Sequence, residues 1–275
     1  MGGSMSERST EHILLWPGKP PGPEVEDDFQ PRLDVYLVDT SAPRGAVVVL
    51  PGGGYTHRAL HEGEPVARAF NERGIHAFVV QYRVTPHPPS AAFLDAARGM
   101  RLVRSRAAEW GVKPDHIAVC GFSAGGHLTG LLGVHFDAGD SSASDPVERV
   151  SNRPDALILC YAWLSARYLK PDEDVLFSEK WGQYTPDWVS VERHVSPETP
   201  PAFLWHTFED TRVTVEHSLL MAGALYENKV PFELHVYEKG RHGLGLAKGD
   251  PAKDDPHVAT WADLCAQWLE GMGWV

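Results

Sequence analysis

The chain has 275 residues and a formal net charge of −12, from 25 basic and 37 acidic side chains. Hydrophobic residues make up 43% and charged residues 23%, which excludes a disordered chain and leaves enough apolar material for a sizeable core. The acid excess argues against DNA or RNA as the main partner, because phosphates need a basic face, and it disfavours polyanionic substrates.

The N-terminus is polar as far as His12. Residues 1–12 are expected to be a tag or disordered, and Met-Gly-Gly-Ser before Met5 looks like a cloning remnant. Gly2 and Ser6 match a myristoylation spacing, which such a remnant discounts. Ile13–Trp16 is too short for the apolar region of a signal peptide, and no run approaches a membrane span. The expectation is a cytoplasmic chain with no membrane partner, residues 13–275 forming one domain; a homo-oligomer is left open.

Strands are expected at Leu33–Val38, Ala46–Leu50, Ala77–Tyr82, Ile117–Cys120, Ala156–Tyr161, Ala202–His206 and Phe232–Tyr237. Runs such as Val47-Val48-Val49-Leu50 are continuously apolar, as in strands covered on both faces. Amphipathic stripes alternate with them. One runs from Phe93 to Trp110 with Gly111 as its stop, one from Val215 to Leu225, and one from Val258 to Met272 with Asp255 and Pro256 as cap and first position. The pattern predicts an α/β fold: a doubly wound, mostly parallel sheet flanked by helices.

Val47–Leu50 runs into Pro51-Gly52-Gly53-Gly54-Tyr55. Glycines at a strand end can bare backbone N–H groups towards a developing oxyanion, so Gly53 and Gly54 are candidate donors. A phosphate cradle fits less well: G-x-G-x-x-G fails at His57, and no Lys-Ser/Thr follows. Tyr55, next to the glycines, is a candidate for narrowing a substrate cleft. His57 and His61 are four apart with Glu62 and Glu64 following, but H-E-x-x-H is not satisfied. A solvated helix start is expected there, and no metal.

Gly121-Phe122-Ser123-Ala124-Gly125 follows the apolar run Ile117–Cys120 and opens a helical stretch. Strand, sharp turn and helix is the context in which G-x-S-x-G lifts a serine to the C-terminal end of a sheet. Ser123 is therefore the candidate nucleophile, and the N–H of Ala124 would complete an oxyanion hole with Gly53 and Gly54. Cys120, Cys160 and Cys265 lie in apolar settings with no C-x-x-C pair and read as buried, reduced thiols.

An irregular stretch rich in aromatics and proline occupies approximately 163–200. It reads equally as a partial lid or as a long surface connection. Its aromatics (Trp163, Tyr168, Phe177, Trp181, Tyr184, Trp188) suit either stacking on a sugar or packing onto the body.

A serine nucleophile needs a base, and in this type of fold the order is Ser, then acid, then His. Ala202–His206 is followed by Thr207-Phe-Glu209-Asp210, and Phe232–Tyr237 by Gly240-Arg-His242-Gly. Asp210 is the candidate orienting acid, with Glu209 expected to be solvated. His242 is the candidate base; His235 falls inside the strand, and His257 opens a surface helix.

Together these stretches resemble the α/β-hydrolase superfamily, and within it the acetylxylan-esterase-like and hormone-sensitive-lipase-like carboxylesterases. The resemblance rests on Pro51–Tyr55, His61-Glu-Gly-Glu-Pro65, Tyr82-Arg-Val84, Gly121–Leu128, Pro200–Thr207 with Asp210, and Gly240–Ala247. Pro51 departs from the lipase-like branch, which has His before the glycines. The resemblance implies a Ser123–His242–Asp210 triad, an oxyanion hole at Gly53, Gly54 and Ala124, no cofactor, and a small-molecule or oligosaccharide ester as substrate, with acetyl groups on sugars favoured. Two other readings stand beside it. An amidase or peptidase would use the same triad, and a non-catalytic receptor would use the same fold.

Overall fold

The computed structural model describes residues 11–168, 181 and 184–275. Residues 1–10, with the tag and myristoylation pattern read there, lie outside the described residues, as does most of 169–183, including Phe177.

Eight strands form one sheet: β1 (Glu11–Leu14), β2 (Arg32–Tyr36), β3 (Arg44–Leu50), β4 (His76–Gln81), β5 (Val112–Phe122), β6 (Ala156–Cys160), β7 (Ala202–Thr207) and β8 (Phe232–Tyr237). Their order is β1-β2-β4-β3-β5-β6-β7-β8. The strands from β3 onward run parallel, and β2 is antiparallel to both β1 and β4. The fold is the doubly wound, mostly parallel α/β sheet that the alternating pattern predicts. β1 is the exception. Glu11 and His12, expected among the disordered residues, pair with Val35 and Asp34. The His12 ring lies 2.6 Å from the Asp34 carboxylate. An edge strand with a polar outer face carries little apolar periodicity, so it is hard to read in the sequence.

Side-chain alternation divides the core into two layers. Ala46, Val48 and Leu50 of β3 join one cluster, while Val47 and Val49 join the other. The first layer lies under α2 (Pro89–Ser105), α4 (Ala124–Val134) and α6 (Glu216–Glu227). The second lies under α1 (Glu64–Asn71) and α7 (Thr260–Gly271). The stripe expected from Phe93 to Trp110 breaks at Arg106 into α2 and a single turn, α3 (Ala107–Trp110), which Gly111 ends at φ 66°. Asp255 accepts the N–H groups of His257 and Val258 (3.0 and 3.1 Å), so it caps a separate turn before α7 begins at Thr260. All three cysteines are buried free thiols. Among the described residues no helix is long and apolar enough to cross a membrane.

The polar loop after α4 is tied to α2 by charge: buried Arg98 reaches Asp145 and Glu148, each at 2.6 Å. The described part of the aromatic insert includes α5 (Pro186–Val189) and packs on the first layer. Val189 and Val191 are fully buried and Trp181 is 4% exposed. His127 on α4, itself fully buried, donates its Nε2–H to the Val189 carbonyl at 2.8 Å.

A second buried polar centre joins the N-terminal segment to α2. Asp95 accepts the Arg83 amide (2.9 Å), two guanidinium N–H bonds (2.8 Å each) and the Trp16 indole N–H (2.8 Å). Removing one member of a buried pair strands the other charge, at a cost of about 3–5 kcal/mol. Asp95→Ala should therefore lower unfolding free energy in urea by that order, and a loss below about 1 kcal/mol would show the pair to be dispensable.

Burial holds His127 down to about 3 and His217 down to about 4. Unfolded histidine titrates near about 6.5, so below that pH the unfolded chain binds more protons than the folded one. Stability should decline as pH falls from about 6.5 towards the folded values. His127→Gln should flatten the fall in Tm between pH 7 and 4, whatever its Tm at neutrality; an unchanged slope would remove His127 from the linkage.

Candidate active site

The turn between β5 and α4 is built by close approach. A Cβ on Gly121 would run into the Gly125 carbonyl and the Thr129 hydroxyl, and one on Gly125 into the carbonyls of Leu50 and Pro51. With glycine at both positions, α4 comes down on the end of β3. Ser123 is left between strand and helix at φ 52°, a left-handed backbone that costs a non-glycine residue of order 1–3 kcal/mol. Its hydroxyl stands at the C-terminal edge of the sheet.

The loops after β7 and β8 bring Asp210 and His242 to the same edge. His242 Nε2 lies 2.8 Å from Ser123 Oγ, and His242 Nδ1 lies 2.6 Å from Asp210 Oδ2. With Nδ1–H donated to the carboxylate, Nε2 is left to accept the serine proton, the geometry that general-base transfer requires. Asp210 is 2% exposed. Its other oxygen accepts the N–H groups of Arg212 (2.9 Å) and Val213 (3.0 Å). Burial pushes the Asp210 carboxyl up, but His206, His242 and the Val213 N–H outweigh it and hold the group well below the usual carboxylate range. His206 lies 3.6 Å from Asp210 and is fixed by the Val213 carbonyl and the Ser218 hydroxyl, each at 2.8 Å. Glu209 is exposed and accepts the Gly240 N–H at 3.2 Å.

The glycine run after β3 turns sharply, with Gly53 at φ 126° and Gly54 at φ 61°. Among the described residues, the N–H groups of Gly53, Gly54 and Ala124 meet no acceptor, whereas the Gly52 N–H is taken by Glu62 at 2.7 Å. Tyr55 donates its hydroxyl to His127 Nδ1 at 2.7 Å, and its ring meets Trp181 edge-on with centroids 5.4 Å apart. The phenol thus ties the glycine loop to α4 and to the insert. Trp163 donates its backbone N–H to the Ser123 carbonyl (3.3 Å) and packs edge-on against His127.

The structure corrects one expectation. The start of the helix after His57 was expected to be solvated, but Glu62 is only 2% exposed. It is drawn inward by two donors, the Gly52 N–H and the Tyr161 hydroxyl (2.6 Å). His61 donates to the Gly243 carbonyl at 3.0 Å, and Glu64 is exposed beside Arg68. No three His, Cys, Asp or Glu side chains among the described residues are grouped to hold a metal. Four residues round the site lay beyond the sequence reading: Glu62, His127, Tyr161 and His206. His127 carried a faint signal, lying one helical turn after Ser123; Tyr161 and His206 each end or follow an apolar run without distinction.

Comparison with known proteins gives one consistent answer. Residues 33–153 match the BD-FAE family model. The chain is 37% identical over 234 residues to endo-1,4-beta-xylanase B of Butyrivibrio fibrisolvens, covering 82% of this chain and 36% of the relative. It is 30% identical over 268 residues to an acetylxylan esterase of Xylanibacter ruminicola, covering 90% and 48%. The chain thus spans less than half the length of these two relatives. The crystal structure of an acetyl ester-xyloside bifunctional hydrolase from Caldicellulosiruptor lactoaceticus superposes with a TM-score of 0.88 at 44% identity, covering 96% of this chain and 97% of that one. The chain belongs to the α/β-hydrolase esterases, in the group that resembles the acetylxylan esterases.

Proposed function

We propose that the chain is a serine carboxylic ester hydrolase that removes short acyl groups, acetyl foremost, from carbohydrates. The observation that carries this reading is the line Ser123–His242–Asp210, with contacts of 2.8 and 2.6 Å, beside three backbone N–H groups that meet no acceptor among the described residues. Ser123 attacks the ester carbonyl while His242 takes its proton. Gly53, Gly54 and Ala124 donate to the oxyanion, each such donor being worth about 3–4 kcal/mol in the transition state. His242 then protonates the leaving alcohol, and Asp210 steadies the imidazolium. Water repeats the sequence on the acyl-enzyme. We take residues 13–275 as the catalytic unit, with 163–200 shaping the pocket.

The carbohydrate preference draws on the acetylxylan esterase and the acetyl ester-xyloside hydrolase among the relatives, and on Trp163, a half-buried aromatic residue whose backbone N–H donates to the Ser123 carbonyl. Acetate release from acetylated xylo-oligosaccharides tests it directly, and an aryl acetamide run beside an aryl acetate separates esterase from amidase.

Ser123→Ala should fold and should lower kcat on an aryl acetate by about 10⁴–10⁶. Asp210→Asn should cost several orders of magnitude by leaving the wrong tautomer of His242, whereas Glu209→Gln should cost little. Wild-type turnover in Ser123→Ala, or the reverse ranking of the two acids, would overturn the triad.

Acyl length separates an acetyl esterase from a lipase-like enzyme. Each methylene that enters an open apolar slot gains about 0.8 kcal/mol, and a closed pocket turns the same methylene into a clash. Across aryl acetate, butyrate, hexanoate and octanoate, kcat/KM should be highest at acetate. A maximum at hexanoate or beyond would leave a general carboxylesterase.

A further inference from the structure

We propose that Glu62 is a positioning residue for ester hydrolysis: a buried carboxylate whose two oxygens hold the glycine loop and, through Tyr161, the His242 loop in one frame. The proposal rests on the serine-hydrolase reading above.

Glu62 ends a one-turn 3-10 helix, Leu60–Glu62. Leu60 is 82% exposed, but the Glu62 side chain turns inward. Glu62 Oε2 accepts the Gly52 N–H at 2.7 Å, and the Ala59 N–H donates to the Gly52 carbonyl at 2.9 Å. Both backbone groups of Gly52 are therefore held by this turn. Gly52 lies directly against the nucleophile, since a Cβ there would sit 2.7 Å from the Phe122 carbonyl oxygen and 3.1 Å from Ser123 Cβ. The next two N–H groups, on Gly53 and Gly54, are the ones left open.

The other carboxylate oxygen is tied to the loop that carries the base. Tyr161 donates its hydroxyl to Glu62 Oε1 at 2.6 Å and accepts the Gly245 N–H at 2.8 Å. Gly245 is three residues after His242, and the Tyr161 ring meets the His242 imidazole edge-on with centroids 5.1 Å apart. His61 adds a second tie to the same loop, through the Gly243 carbonyl at 3.0 Å. Tyr161 itself sits at φ 37°, a strained backbone of the kind kept where geometry has a use.

The chemistry of the acceptor is specific. Both oxygens of Glu62 receive donors, which a carboxylate satisfies and an amide does not. Glutamine has the same shape but one acceptor, so either the Gly52 N–H or the Tyr161 O–H would face an NH₂ group. Glu62 touches no reacting atom; it acts through the two loops. A displacement of about 1 Å at such loops costs about 100-fold in rate.

The test compares Glu62→Gln, Tyr161→Phe and the double variant with wild type on an aryl acetate, reading kcat, KM, the rate of labelling by a fluorophosphonate, and Tm. The expected result for Glu62→Gln is a kcat about 100-fold lower with KM within about twofold, and slower labelling to match. Tyr161→Phe should lose about tenfold in kcat, and the double variant should be no worse than Glu62→Gln, because one link is being cut twice. A folded Glu62→Gln with near wild-type kcat, or losses that multiply in the double variant, would overturn the proposal. If Glu62→Gln does not fold, Tyr161→Phe decides alone: a selective fall in kcat supports the link, and full kcat removes it. Failure of the underlying reading looks different, for wild type would then resist the fluorophosphonate or Ser123→Ala would stay active, and the positioning role would fall with it.

Discussion

The approach of α4 to the end of β3 is the contact on which the candidate site depends. Two glycines, Gly121 and Gly125, let helix and strand meet backbone to backbone. Ser123, caught between them, is forced into a left-handed turn. The same contact brings the start of α4, with its open Ala124 N–H, alongside the glycine run that leaves β3. Candidate nucleophile and candidate donors are therefore products of one packing event, and a methyl group at either glycine would separate them.

Around that junction the buried polar groups are satisfied in chains. Asp210 receives two backbone N–H groups on one oxygen and His242 on the other. His127 accepts from Tyr55 and donates to Val189, so one imidazole joins the glycine loop, α4 and the insert. Burial keeps this imidazole neutral, which suits a part that must both accept and donate. A low local dielectric strengthens such bonds and raises the cost of breaking them.

Much of this was legible in the sequence because it is local. The strand–turn–helix around Ser123 and the glycine run after Leu50 are read from neighbouring residues, and Asp210 and His242 are picked out by following the last two strands in chain order. The continuous apolar run Val47–Leu50 announces a sheet covered on both faces. What escaped is long-range. Glu62 meets Tyr161 across 99 residues of chain, and nothing in H-E-G-E-P distinguishes the inward acid from the outward one. β1 escaped for the opposite reason: it is an edge strand of four residues, held by pairing to β2 more than by any periodicity of its own.

The open donors of Gly53, Gly54 and Ala124 belong to the main chain, and this shapes how the protein can change over generations. No exchange of a side chain deletes a peptide N–H, except exchange to proline. Heritable variation therefore passes by the groups that would face an oxyanion and accumulates in the side chains around them. An exchange at Tyr55, Trp163 or Trp181 alters the packing around these peptide groups but leaves each N–H in the chain. A lineage built on this frame can drift in its side chains while the three candidate donors stay in place.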